Sequence, residues 1–246
     1  VKVDLAAFCR DHDVAVVVVS RDRAATLAKF TDTLLDGYTL FYSGEGYDDY
    51  DYRAVERFEV PRGLQGLSVV RNYVLDTLPQ RTVVFFDDDV NAVYWVAGRR
   101  SVRLDIERVK LAILDMVVHA HDQGSTAFGM SPLDLRKSSP LVPFRLRGVF
   151  GTVLGVVGRD LRFDERNVLK TDYDFCLQSM VESRIVHMDM RYFASSAKDE
   201  LAGGNMEFRT QVRRKREIDN LIRWWGSDVI VPKDNKGNEK LTVKVP

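Results

Sequence analysis

Val83-Val84-Phe85-Phe86-Asp87-Asp88-Asp89 decides how this chain is read. Four apolar, strand-favouring residues run directly into three carboxylates. A strand buried on both faces that ends in clustered carboxylates builds a divalent-cation site at a sheet edge. Hard cations such as Mg²⁺ and Mn²⁺ prefer oxygen ligands, and they bring phosphates with them. Side chains alternate along a strand, so Asp87 and Asp89 are expected on one side and Asp88 on the other. The plainer reading of the triplet alone is an acidic loop after a strand.

The flanking sequence favours the metal reading. Val14–Val19 is a continuous β-branched run, as expected of a strand covered on both faces in a parallel sheet. Ser20-Arg21-Asp22-Arg23 follows as a loop. Apolar residues at helical spacing over 23–35 predict a helix that stops at Gly37. Strands are predicted at Tyr38–Tyr42, Arg57–Val60 and Thr82–Phe86, with a second helix over Gly66–Leu78. This βαβ alternation implies a mostly parallel, Rossmann-like sheet with right-handed crossovers. Such sheets bind ligands beyond the carboxyl ends of their strands. Ser20-Arg21, Ser43-Gly44-Glu45 and Asp87–Asp89 all fall there.

The second half reads as mixed. Strands are expected over 91–97, 99–104, Ser125–Met130, Val149–Val157 and Ile185–Phe193, with a weak one at Leu241–Val245. Helices are expected over 105–123, Thr171–Ser183 and, strongly basic, 205–225. Ser131–Arg147, with three prolines, reads as an irregular loop. There is no internal repeat and no clear linker. The expectation is one domain over 1–246, with a donor-binding half of about 1–104 and an acceptor half of about 105–246.

Composition narrows the class. The chain has 246 residues, 45% hydrophobic, which supports a substantial core. Lys and Arg total 36, as do Asp and Glu, so no global field demands nucleic acid or an anionic membrane. Cys9 and Cys176 stand far apart, which suggests neither a disulfide framework nor a zinc site; a reducing, cytoplasmic setting is the default. No apolar run approaches the roughly 18–20 residues that span a bilayer, and no signal peptide is evident. The chain does not begin with Met, as an excised or trimmed domain would not.

Two blocks carry a family resemblance. Gly66-Leu67-Ser68-Val69-Val70-Arg71-Asn72, followed by the strand into Asp87–Asp89, is similar to the "G-x-x-x-x-R-N" helix and "F-L-D-x-D" strand end of GT-A glycosyltransferases of the large family-2 type. Phe163-Asp164-Glu165 and Lys170-Thr171-Asp172-Tyr173-Asp174-Phe175-Cys176-Leu177 resemble that family's "F-D-E … E-D-x-D-L-C-L". Order and spacing agree across residues 14–190. One departure is Thr171, where the family has a glutamate, and it puts the acceptor contacts in question. A narrower resemblance, to the TET/JBP-associated glycosyltransferases of bacteriophages, rests on Phe86-Asp87-Asp88-Asp89-Val90, Arg147-Gly148-Val149-Phe150-Gly151 and Arg223-Trp224-Trp225-Gly226. It implies a hydroxymethylated pyrimidine in phage DNA as acceptor, and host-cell cytoplasm as the setting.

The resemblance implies a nucleotide-sugar donor, a UDP-sugar foremost, and Mn²⁺ or Mg²⁺ held by Asp87 and Asp89. It implies that Asp88 faces the donor sugar or ribose, or supports the metal site. Ser20, Arg21 and Arg23 follow the first strand, where the family places base and ribose contacts. Glu45 is placed to accept from a base N–H. Arg71 is expected on a phosphate or on the metal-site carboxylates, the alternative being an ion pair that fixes helix to sheet. Asp172 is the candidate general base, against the alternative that it only caps a helix. Asp174 is read as structural or acceptor-binding.

Other residues carry open readings. Tyr42, Tyr47, Tyr50 and Tyr52 are candidate stacking partners for a base or a plain surface loop. His187 is a third metal ligand or, the favoured reading, a core residue. His119 and His121, two apart on a helix, receive no metal role. Lys198, Gly203 and Gly204 lie in a candidate lid. Arg209, Arg213, Arg214, Lys215 and Arg216 are the candidate DNA-backbone contact, extended by Arg136, Lys137, Arg145 and Arg147. The alternative is a solvated face paired with Glu207, Glu217 and Asp219. Trp224 and Trp225 offer a stacking platform for an extruded base, or pack the helix to the core.

Competing functions fit less well. An aspartate-dependent phosphatase needs D-x-D-x-[TV], and Asn91 stands at the fifth position. A nucleotidyltransferase usually has a glycine-rich loop after its first strand, and Ser20-Arg21-Asp22-Arg23 has no glycine. A saccharide, lipid or protein acceptor, or a degenerate transferase that only binds, remains open, as does the inverting or retaining outcome.

Overall fold

Val14–Arg21 forms β1 at the centre of the parallel half of the sheet, and its first five residues are buried. The computed structural model describes residues 4–98, 100–132, 134, 142–197, 203–233 and 240–243. Before β1 lies a short helix, α1 (Leu5–Asp11), capped by the Asp4 carboxylate, which the sequence reading missed. After it come α2 (Ala24–Lys29), β2 (Thr39–Ser43), β3 (Glu56–Glu59), α3 (Leu67–Thr77) and β4 (Thr82–Asp87). The hairpin β5 (Val90–Ala97) and β6 (Arg100–Arg103) precedes α4 (Ile106–Asp122) and β7 (Ala127–Ser131). Next are β8 (Phe144–Arg145), β9 (Val153–Val157), α5 (Thr171–Ser183), β10 (His187–Ser196) and α6 (Gln211–Trp225). A separate hairpin, β11 (Ile230–Lys233) and β12 (Lys240–Val243), follows.

The main sheet runs β3-β2-β1-β4-β9-β7-β10-β5-β6, with β8 also on β10. Strands β3, β2, β1 and β4 are all parallel. Past β4 the sheet turns mixed, with β9 antiparallel to both β4 and β7, and β7 parallel to β10. Val19 pairs with Asp87 and Arg21 with Ser43. That register brings the loops after β1, β2 and β4 to one edge, as the βαβ alternation predicts.

Alternation along the strands sorts two cores. Ala15, Val17, Val83 and Phe85 pack with Val74 of α3, Phe175 of α5 and Ile218 of α6. Val14, Val16, Val18, Val84 and Phe86 pack on the other face with Leu27 of α2 and Ile113 and Met116 of α4. Burying each Val, Leu, Ile, Met or Phe side chain among them stabilises the fold by about 1.5–3 kcal/mol. Gly155 is required within β9, because a Cβ there would meet the Phe128 ring at 2.1 Å.

Several boundaries differ from the sequence reading. The helix expected over 23–35 is α2 alone, followed by a 3₁₀ turn at Thr31–Thr33. The break gives the buried Thr31 hydroxyl a tertiary role: it donates to the Asp87 carbonyl (2.8 Å) and accepts from the Val90 N–H (3.0 Å). The helix expected over 205–225 begins at Gln211, behind a 3₁₀ turn at Met206–Phe208 and a Thr210 cap. Strand β9 starts at Val153, four residues later than expected. Of the Ser131–Arg147 segment, residues 133 and 135–141, Arg136 and Lys137 among them, lie outside the described residues. Phe144 and Arg145 within it pair with β10.

Candidate active site

Asp87 continues the parity of Val83 and Phe85, so it points toward α3 and α5. There Arg71 Nη2 lies 3.9 Å from its Oδ1. Asp88 continues the parity of Phe86 and turns the other way. Its Oδ2 accepts from Ser20 Oγ at 2.7 Å, and its Oδ1 lies 3.3 Å from Arg23 Nη1. The expected alternation ends there. Strand β4 stops at Asp87, and Asp88-Asp89 form the turn into β5. Asp89 therefore does not share Asp87's partner as a continuing strand would have it; its Oδ2 lies 3.6 Å from Arg23. All three carboxylates nonetheless line one recess, so the turn brings Asp87 and Asp89 together where the strand does not.

That recess holds about 130 Å³ and is also lined by Gly66 and Leu67 at the start of α3, and by Arg209. No side chain caps α3, so its first N–H groups and the positive end of its dipole are available to an anion. A larger cleft of about 850 Å³ adjoins it, with Arg21 and Arg23 on the shared wall. Glu45, Asp49, Tyr50 and Arg62 line this cleft. Glu45 thus shares the cleft with Arg21 and Arg23.

Other residues are placed differently. Ser20 is buried behind Asp88 rather than on the cleft wall. Tyr47, also buried, donates to Ser20 Oγ at 2.7 Å, so Tyr47, Ser20 and Asp88 form a line of hydrogen bonds. Tyr52 is buried and donates to the Ala24 carbonyl. Tyr50 alone of the four tyrosines lines the cleft. Arg21 donates to the Gly204 carbonyl and to Glu207 Oε1, the latter at 2.6 Å. It therefore holds the 203–208 segment against the cleft. Lys198 lies outside the described residues.

Arg71 sits 3% exposed over the edge-to-face pair of Phe85 and Phe163 rings. Its Nη1 donates to Asp172 Oδ1 at 2.8 Å. One guanidinium thus joins Asp87 to Asp172. Asp172 occupies the second position of α5 and keeps 27% of its side chain open. Thr171 Oγ donates to the same Asp172 oxygen at 3.2 Å. Asp174 accepts from Trp225 Nε1 at 2.8 Å, so Trp225 packs α6 to α5, while Trp224 lies under the Arg166 guanidinium at 3.9 Å.

Enclosure pushes the Asp87 carboxyl up to about 8; Asp89, Asp172 and Asp88 push the same way, and Arg71 opposes them. The Asp87 side chain keeps 41% of its surface open to the recess, so water tempers this push. Enclosure pushes Asp88 up to about 6 against the hydrogen bond from Ser20 and the charge of Arg23. Among the described residues no hydrogen bond reaches the Asp87 carboxylate. Its lone pairs are unused, and they face a cavity.

The basic cluster divides. Arg209 faces the aspartate recess. Arg213 stacks on Phe208 and donates to Glu217 at 3.2 Å. Arg214 is half-buried, while Lys215 and Arg216 are exposed. Glu217, read from sequence only as a surface pair, is buried and accepts from the N–H groups of Val168, Leu169 and Lys170 at 2.8–3.1 Å. It fixes the loop that leads into Asp172; nothing local in the sequence signals this. His187 is a core residue at the start of β10, bonded to Gln123 and stacked on His119, at the other end of the strand from Ala197, whose N–H reaches the Asp89 carbonyl.

Two carboxylates and their hard oxygens suit Mg²⁺ or Mn²⁺ with further ligands supplied by phosphate and water. Among the described residues no group of three or more His, Cys, Asp or Glu side chains is disposed to hold a metal unaided.

Neither a protein-family model nor a curated protein sequence matches the chain. Solved structures do match it. Glucosyl-3-phosphoglycerate synthase from Mycobacterium tuberculosis, in complex with Mg²⁺ and uridine diphosphate, is similar over 98% of this chain and 90% of its own, with 12% identity and a TM-score of 0.55. A further mycobacterial protein is similar over 97% and 86%, with 14% identity and a TM-score of 0.54. The chain spans 60% of the length of S. aureus TarS 1-349, matched by 74% of its own residues at 13% identity and a TM-score of 0.46, too loose a likeness to build on. At these identities the likeness establishes the fold, a mixed α/β sheet of the GT-A kind flanked by helices.

Proposed function

We propose that this protein is a metal-dependent glycosyltransferase that moves a sugar from a UDP-sugar to an acceptor hydroxyl. The observation that carries the reading is the Asp87 carboxylate, unbonded and open in a recess it shares with Asp89, at the carboxyl edge of the parallel strands. The glucosyl-3-phosphoglycerate synthase structures hold UDP with Mg²⁺, and UDP-glucose with Mn²⁺, which supports the same donor and ion here.

The nucleoside would occupy the larger cleft beside Glu45 and Tyr50, and the diphosphate would extend past Arg21 and Arg23 into the recess. Asp87 and Asp89 would hold Mn²⁺ or Mg²⁺, which supplies Lewis-acid neutralisation of the leaving diphosphate. The start of α3 and Arg209 would add fixed positive charge where negative charge grows. Asp172 would take the proton from the acceptor hydroxyl as its oxygen bonds to the anomeric carbon and the carbon–diphosphate bond breaks. Arg71 would keep the Asp172 carboxylate aimed. Ser20 would act through Asp88 rather than on the donor.

As acceptor we propose the hydroxymethyl group of a modified pyrimidine in phage DNA. Lys215 and Arg216, exposed on α6, support this, with Arg214 beside them; Arg209 and Arg213 are engaged elsewhere. A saccharide, lipid or protein acceptor is the alternative. The division into a donor half near 1–104 and an acceptor half near 105–246, and a cytoplasmic setting, belong to the same proposal. Among the described residues no helix is long and apolar enough to cross a membrane.

The test is Mn²⁺-dependent turnover with a panel of UDP-sugars, with and without 5-hydroxymethylcytosine DNA, read by mass spectrometry of the DNA. Transfer only with modified DNA is expected. Donor hydrolysis indifferent to DNA would move the search to the other acceptors. Absence of donor binding with and without metal would remove the transferase reading.

A further inference from the structure

We infer that Arg23 is a built-in counter-cation of the aspartate triplet that trades places with the divalent ion, so that ion and nucleoside diphosphate bind as a pair. This rests on the metal-dependent reading above. Arg23 Nη1 lies 3.3 Å from Asp88 Oδ1 and 3.6 Å from Asp89 Oδ2, with 10% of the side chain exposed. Asp89 is one of the two carboxylates assigned to the ion. A divalent cation and a guanidinium on one carboxylate repel each other, so the ion weakens the hold of Asp89 on Arg23.

Arg23 has somewhere to go. Its side chain forms part of the wall between recess and nucleotide cleft. Released from Asp89, its guanidinium would turn toward the cleft that it also lines. Asp88, buried and fixed through Ser20 and Tyr47, provides the pivot. The segment that packs closely on Arg23 is kept from clashing with it only by glycine. At Gly203 and Gly204, both at positive φ, a Cβ would meet Arg23 Cγ at 3.0 Å and Cζ at 2.8 Å. Arg71 offers no such exchange, being buried against two rings and held by Asp172.

The exchange couples the two ligands. Ion alone must unseat Arg23 without giving it a new partner. Diphosphate alone meets a guanidinium already neutralised. Together each receives its counter-charge, which is positive coupling between sites.

Electron paramagnetic resonance of Mn²⁺ reads this without turnover. In the wild-type protein UDP should tighten Mn²⁺ binding by about tenfold, within the usual range of coupling. Arg23→Met, or Arg23→Met with Asp88→Asn to keep the buried charges balanced, should bind Mn²⁺ alone about fivefold more tightly and lose most of the UDP effect. Arg23→Lys, checked for folding by circular dichroism, should fall between. Wild-type coupling that survives in folded Arg23 variants overturns the exchange while leaving the metal site intact. Wild-type protein that takes no Mn²⁺ even with UDP overturns the metal-site reading, and the exchange with it.

Discussion

Asp189 and Asp87 both meet an arginine at the sheet, toward opposite ends of it, and they are treated oppositely. Asp189 has no exposed surface, and Arg191 saturates it with its backbone N–H at 2.8 Å, Nε at 3.1 Å and Nη2 at 2.6 Å. Arg191 also reaches Asp115 on α4. Asp87 has one guanidinium at 3.9 Å, three carboxylates near it and an open face. The first is a charge built into the architecture. The second is a charge kept short of partners, a state that persists only where the surrounding fold tolerates its cost.

The comparison breaks most sharply in paired substitutions. Asp87→Ala should lower Mn²⁺-dependent turnover by about a thousandfold or more while leaving metal-free thermal stability intact or raised. Asp189→Ala should do the reverse, costing about 1.5–3 kcal/mol by removing the charged hydrogen bonds of Arg191 and leaving it Asp115 alone, as read by urea denaturation. A destabilised Asp87→Ala would mean that its carboxylate is architectural after all. Next in size, Asp172→Asn should lower kcat by about 10²–10⁴ with UDP affinity unchanged by calorimetry. A matching loss of UDP affinity would instead make Asp172 a donor-site residue.

Proton linkage sharpens the contrast. An unfolded aspartate titrates near 3.9, whereas Asp87 in the fold is pushed up to about 8. The folded state then holds the proton more tightly, so stability falls as pH rises from about 4 to 8 and levels off above. Asp88, pushed up to about 6, adds to the lower part of that window. Melting temperatures without divalent ions should show this slope in the wild-type protein and a shallower one in Asp87→Asn. Mn²⁺ should raise the melting temperature more at pH 8 than at pH 6. The smallest effect expected is on DNA. Replacing Lys215 and Arg216 with Ala should reduce the salt slope of DNA binding by about 2 without changing UDP affinity, and an unchanged slope would remove α6 from the acceptor surface.

Much of this was legible in the sequence, for a stated reason. β1 and β4 announce themselves because a buried parallel strand needs uninterrupted apolar residues, and the carboxylates can only come after one. Asp87 and Asp88 obey strand alternation for the same reason. Asp89 escapes it because the strand ends, a termination enforced from 56 residues away by Thr31. The long helix expected before Gly37 fails at the same place: periodicity cannot see that Thr31 has a tertiary partner. The start of α6 was readable, since Thr210 is a sound helix cap. Glu217 was not, because a glutamate in a basic helix looks like a surface pair until the 168–170 loop is folded against it.

That glutamate has a mechanical consequence. The basic helix is tied to the loop that leads into Asp172 by three backbone hydrogen bonds to a single buried carboxylate. Under the proposed function, anyone reshaping the acceptor preference has a natural handle and a natural limit. The outer residues of α6 can be exchanged as freely as paint, whereas changing position 217 would shift the tool itself.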